Sequence, residues 1–217
     1  MDFKNAIFDM DGTLIDSMSL WRHVQADCIE DIYGVKFSEE EREKLVYLYY
    51  KEFVECAGKF KGIEVSCDVI AEESYRRMPE KYINGEISVK PYVLDFLKLL
   101  KSKGIGTALA TATRKELCVP YLKKSGIYQY LDCIYTTEDD AKEEKHQSSK
   151  VYDMALEHLN GTKEDTVVFE DVLICMQTAK NNGYRVYAVA DKCQGETVTD
   201  IKKTCEKFIE NYKDLME

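Results

Sequence analysis

The chain of 217 residues lacks several features that mark whole classes of protein. It has three prolines, no low-complexity segment and no internal repeat, which points away from collagen-like, linker-rich and solenoid architectures. No apolar run approaches the ~20 residues of a membrane span, so no membrane partner is expected. The opening MDFKNAIFDMDG carries no secretory pattern and runs straight into a strand, and a cytoplasmic setting is expected. The eight cysteines, at positions 28, 56, 67, 118, 133, 175, 193 and 205, include no C-x-x-C pair. Scattered thiols at this length predict buried free cysteines in a reducing compartment, not a disulfide framework. Positive charge is also short: the net charge is −10, which argues against a nucleic-acid surface. The same charge repels phosphate esters, so any anion site has to carry its own local cation.

What is present suffices for a packed interior, with 45% hydrophobic residues beside 32% charged ones. The stretch AIFDMDGTLIDS, residues 6–17, is the most informative. Ala6, Ile7 and Phe8 read as a buried strand that ends in Asp9, Met10, Asp11, Gly12 and Thr13. Two carboxylates at i and i+2 beside a core are costly to leave unpartnered, and a hard dication such as Mg2+ removes that cost. An ordinary Asp-Gly turn after a strand is the alternative at this point.

Residues 17–86 read as helical. Leu20, Trp21, Val24, Cys28, Ile29 and Ile32 recur at helical spacing up to Gly34. Ser38 with Glu41 predicts a capping box opening a second helix through Phe53, and a third helical stretch spans about 67–82. The aromatics Tyr47, Tyr49, Tyr50 and Phe53 read as the interior of this segment, with a pocket lining as the alternative. From Val89 strands and helices alternate: a helix from Pro91, the run TALATAT, a helix through Pro120, a strand at Cys133–Tyr135 and an acidic loop TTEDDAKEEKHQSS. A helix over about 149–159, the strand 166–169 ending at Glu170-Asp171, a helix, the strand 186–190 and a terminal amphipathic helix follow. Such alternation predicts an α/β fold: a Rossmann-like, doubly wound, mostly parallel sheet core (1–16 and 87–217) with a small inserted all-helical cap (17–86).

In such a sheet, ligands bind at the carboxyl ends of the strands. Asp9 with Asp11, Thr111, and Glu170 with Asp171 all fall there, and a lysine precedes the helix after the Cys133 strand. Two acidic pairs, a hydroxyl and an ammonium suit phosphoryl transfer.

The string DMDGTLIDS resembles the first motif of the haloacid dehalogenase-like superfamily, in its branch of β-phosphoglucomutases and phosphoglycolate phosphatases with a helical cap. The run VVFEDVLICMQTAKNNGYRVYAVAD is similar to its last motif. The resemblance implies Asp9 as a nucleophile forming an aspartyl-phosphate and Asp11 as general acid and base. It implies Thr111 and the Ala112 amide as phosphate binders, and Mg2+ held by Asp9, the Asp11 carbonyl and Asp171. Glu170 would be a further ligand or a partner behind the first ones. Members often have Lys-Pro in the third motif; AKEEKHQSSKVY has none, so Lys145 fits with one inserted residue, and Lys142 and Lys150 are rivals. Asp16 and Ser17 read as the cap of the first inserted helix, and His23, His146 and His158 as surface or core residues. The resemblance implies a Mg2+-dependent phosphatase of a small phosphate monoester (a sugar phosphate, a phosphoglycolate-like acid or a nucleotide), with a cap that closes over the site and selects the substrate. Oligomeric state is open, with a monomer the default given cap motion. A sugar-phosphate mutase is the nearest alternative, but members with that activity carry a His where Trp21 stands. Asp11 and Asp171 argue against a dehalogenase. Pyrophosphatase or phosphonatase action stays open, as does a non-catalytic phosphate-binding module.

Overall fold

The computed structural model describes residues 1–85 and 87–216, so the edges drawn from sequence at 86 and 217 lie outside the described residues. The chain divides into two compact units: Met1–Asp16 with the stretch beginning at Ser88, and Ser17–Ile87.

The first unit is built on β1 (Asn5–Phe8), whose four residues are all buried. A two-residue strand, β2 (Ile15–Asp16), pairs antiparallel with β3 (Ser88–Val89). The helical unit lies between them in sequence: α1 (Met18–Tyr33), α2 (Glu39–Val46), α3 (Tyr50–Lys61) and α4 (Cys67–Ile83). The rest of the first unit comprises α5 (Val93–Ser102), β4 (Gly106–Thr111), α6 (Lys115–Ser125), β5 (Cys133–Thr136), α7 (Lys150–His158), β6 (Thr166–Glu170), α8 (Leu173–Asn181), β7 (Arg185–Val189), α9 (Val198–Thr204) and β8 (Lys207–Ile209).

Six strands form one sheet in the order β5-β4-β1-β6-β7-β8, every neighbouring pair parallel. β1 sits between β4 and β6, so both its edges are paired, and α7 and α8 cover one of its faces while α5 covers the other, which is why it reads as a continuous apolar run. Side chains alternate across it. Ile7, Ala108 and Val168 join the cluster that includes Val151 and Tyr152 of α7 and Met176 of α8. On the other face Phe8 stacks on Phe169 at 4.6 Å between ring centroids, and Phe96 of α5 meets Tyr212 at 5.2 Å. Each such aromatic contributes about 1.5–3 kcal/mol by leaving water. The parallel sheet with flanking helices is the architecture expected from sequence.

Some local expectations are corrected. The helix read as one through Phe53 is two: Tyr47 and Leu48 both donate backbone bonds to the Leu45 carbonyl, and Tyr49 is extended before α3 starts. The capping box on α2 forms as expected, with Glu41 N donating to Ser38 Oγ at 3.2 Å and Ser38 N to Glu41 Oε2 at 2.7 Å. Ser17 stands at the N-cap of α1 without a side-chain cap bond, and Asp16 instead meets Lys192 at 3.3 Å. α5 starts at Val93, not Pro91, because Tyr92 takes a left-handed conformation at φ 65°. The acidic loop after β5 contains a π-turn, Thr137–Ala141, pinned by Asp139 and Asp140, which accept from Lys115 N and Lys115 Nζ. The terminal helix is seven residues long and gives way to β8, which pairs with β7 while Arg185 binds Glu206. All eight cysteines are free, and among the described residues no helix is long and apolar enough to cross a membrane.

Candidate active site

The carboxyl ends of β1, β4 and β6, three adjacent strands, each hand over to a polar segment. After Phe8 the backbone continues one step, Asp9 N donating to Phe169 O at 2.9 Å, and then turns sharply. Met10 O accepts from Leu14 N at 2.9 Å and from Ile15 N at 3.1 Å, while Gly12 adopts φ 83°, a conformation that a Cβ disfavours. This turn buries Asp9 and Asp11, which are 4% and 9% exposed.

Asp9, Glu170 and Asp171 bring carboxylate oxygens within 4.8 Å of one another, all buried. Lys145 enters from the loop before α7, where Gln147 N and Ser148 N both donate to Glu144 O and Thr178 Oγ1 of α8 donates to His146 O. These bonds hold the loop without the proline. Lys145 Nζ donates to Asp9 Oδ1 at 2.5 Å and to Glu170 Oε2 at 2.8 Å. The rival lysines lie elsewhere: Lys142 donates to Glu138 O, and Lys150 pairs with Glu143 on the surface.

Thr111 is buried and accepts from Thr113 N at 3.1 Å, Ala112 between them is exposed, and Thr113 Oγ1 donates to Asp11 Oδ2 at 2.6 Å. Asp171 does not cap α8, whose N-cap is Val172; its Oδ1 receives the Thr13 hydroxyl at 3.1 Å. Gln194 Nε2 donates to Asp171 O and Val189 O, tying the ends of β6 and β7 together. Thr13, Thr113, Tyr152 and Gln194 are contributors that residue-by-residue reading did not single out. The two threonines lie within DMDGTLIDS and TALATAT. Tyr152 reads as a helix-core residue and Gln194 as a loop residue, with no sequence signal for either role.

Electrostatically the cluster is over-supplied with negative charge. Burial, with Glu170 and Asp11 adding to it, pushes the Asp9 carboxyl up to about 8 against the opposing charge of Lys145. Burial, with Glu170, Asp9 and Asp191 adding, raises the Asp171 carboxyl well above the carboxylate range despite Lys90. Burial opposes the charge on Lys145, but Asp9 and Glu170 prevail and keep its ammonium protonated. Lys90 is paired with Asp191 at 2.8 Å, so among the described residues Lys145 is the one cation bonded within the three-acid cluster. A divalent cation fits that deficit, and all-oxygen donors suit Mg2+ or a similar hard ion.

The family profile described as haloacid dehalogenase-like hydrolase matches residues 6–189. Among curated proteins, the chain is 28% identical over 184 residues to a phosphorylated carbohydrates phosphatase of Thermotoga maritima, covering 84% of this chain and 83% of the relative. It is 24% identical over 203 residues to the pyrophosphatase PpaX of Halalkalibacterium halodurans, covering 90% and 87%. Its fold matches the crystal structure of CbbY from Rhodobacter sphaeroides in complex with phosphate with a TM-score of 0.76 at 21% identity, over 98% of this chain and 96% of that one. A profile match running from the first strand through β7, over the same strand ends that gather the acids, identifies this chain as a member of the haloacid dehalogenase-like hydrolases.

Proposed function

We propose that this chain is a metal-dependent phosphatase of small phosphate monoesters, with phosphorylated sugars as the leading substrate class. The observation that carries the reading is the convergence of Asp9, Asp171 and Lys145 at neighbouring strand ends, with Asp9 held 2.5 Å from the ammonium. The Asp9 carboxylate and Asp171, with the Asp11 carbonyl, would hold Mg2+, while Glu170 is engaged by Lys145. Bound there, Mg2+ would neutralise charge between the nucleophile and the phosphoryl oxygens.

The chain's own residues do the rest. An Asp9 oxygen attacks phosphorus, the bond from phosphorus to the ester oxygen breaks, and Asp11 gives its proton to the departing alkoxide. Lys145, Thr111 and the Ala112 amide offset charge on the equatorial oxygens. Asp11 then takes a proton from the water that hydrolyses the aspartyl-phosphate and is reset for the next turnover. Thr113, bonded to Asp11 Oδ2, holds that carboxyl in place.

A mutase is the weaker reading. Trp21, at the position where the resembled mutases carry His, donates from Nε1 to Tyr82 OH at 3.1 Å and packs edge-on against Tyr75. It serves the interior of the helical unit and offers no proton carrier. The reading requires no second chain, and a monomer on gel filtration is expected. Phosphate release from p-nitrophenyl phosphate, a sugar-phosphate panel and pyrophosphate, with Mg2+ and then EDTA, tests the proposal. Metal-dependent release from sugar phosphates supports it. Release from pyrophosphate alone replaces the substrate class, and inertness across the panel favours a binding module.

A further inference from the structure

Glu170 is bound from all sides by this chain. Its Oε1 accepts from Asp171 N at 3.3 Å and Val172 N at 3.2 Å, and its Oε2 accepts from Lys145 Nζ at 2.8 Å and Tyr152 OH at 3.1 Å. Two backbone amides and two side chains therefore take up roughly all four acceptor directions that a carboxylate offers. The tyrosine is the least expected of the four. It lies on α7, its side chain is fully buried in the core cluster, and its ring is 6.0 Å from that of Tyr184. Its hydroxyl shares an oxygen with Lys145, whose ammonium also stands 6.0 Å from the Tyr152 ring centroid.

We propose that Tyr152 is a positioning residue of the active site. Its hydroxyl and the two amides lock Glu170, and Glu170 so fixed aims Lys145 at Asp9. Burying a phenol among apolar neighbours is costly unless its hydroxyl finds an acceptor, and here the acceptor is the carboxylate that steers the site's one described buried ammonium. The inference rests on the phosphatase reading only for its kinetic test; the contact chain from Tyr152 to Asp9 stands on geometry.

Tyr152→Phe keeps the ring and removes only the hydroxyl. With p-nitrophenyl phosphate and Mg2+, kcat is expected to fall about tenfold while KM stays within about twofold, as for loss of a group that orients a transition-state contact. Tyr184→Phe is the control. It removes an equally local hydroxyl, bonded to Asp153 Oδ1 at 2.8 Å, from the same packing pair, and should leave kcat within about twofold. In a Glu170→Gln background, Tyr152→Phe should add little, because both act through one carboxylate. Independently of turnover, acetic anhydride should label Lys145 several-fold faster in Tyr152→Phe than in wild type, read by mass spectrometry.

Unchanged kcat together with unchanged labelling overturns the proposal. So do equal losses in Tyr152→Phe and Tyr184→Phe, fully additive losses with Glu170→Gln, or a Tyr152→Phe chain that does not fold, since each makes the role purely structural. A wild type inert towards phosphate esters defeats the functional reading instead, and the labelling ratio then decides this one.

Discussion

Two buried carboxylates, one in each unit of the chain, have opposite fates. Glu30 of α1 accepts from Lys36 Nζ at 2.8 Å and Phe37 N at 2.7 Å, and Arg42 lies 2.9 Å away. Burial pushes its carboxyl up, but these donors prevail and hold it at about 2. Asp9 has the Lys145 ammonium beside it but also the carboxylates of Glu170, Asp171 and Asp11, and burial pushes it up to about 8. The helical unit thus satisfies its buried acid from within, as a structural ion pair requires. The strand ends leave theirs under-compensated, the condition expected where a cation and a phosphoryl group are to be bound.

The largest effects are expected at the strand ends. Asp9→Asn should lower phosphate release by a factor on the order of 10³ or more, with the fold retained by circular dichroism, because the proposed nucleophile is gone and no structural pair depends on it alone. Lys145→Met should cost on the order of 10², whereas Lys142→Met and Lys150→Met should stay within about twofold; steady-state kinetics on the three variants separates the lysines.

Glu30→Gln sharpens the contrast from the other side. It should leave kcat at 25 °C unchanged and lower stability by about 1–3 kcal/mol, measured by urea unfolding at pH 6. The pH dependence has a definite sign. A carboxyl whose folded value lies below the ordinary 4.5 stabilises the fold above that pH and loses its contribution as pH falls towards about 2. Wild type should therefore lose stability between pH 6 and pH 3 faster than Glu30→Gln, by about 1–2 kcal/mol once solvent screening at Lys36 is allowed for.

Much of this arrangement was legible in the sequence because strand ends are legible. An apolar run that stops at an acid, as Phe8 does at Asp9 and Phe169 does at Glu170, marks both the strand and the place where a parallel sheet presents its ligands. The capping box of α2 was readable for the same reason: Ser38 and Glu41 make a local pattern with a local cause. Features set by distant partners were not. β8 is three residues long and is a strand only because β7 lies beside it. The π-turn depends on Lys115 of another helix, 24 residues from Asp139. Choosing among three lysines needed the turn at Glu144, and the hydroxyl of Tyr152 reaches an acid 18 residues along the chain. Periodicity reports which face of a helix is buried, not what a polar tip on that face touches.

In the proposed mechanism Asp9 and Asp171 are crowded so as to receive a dication. The most direct test is the thermal midpoint of wild type and Asp171→Asn at pH 7, each with EDTA and with saturating Mg2+. A ligand at about 100 times its Kd adds about 2.7 kcal/mol to the folded state, a shift of several degrees. That shift is expected in wild type and its loss in Asp171→Asn. An equal shift in both proteins, or none in wild type, would contradict it.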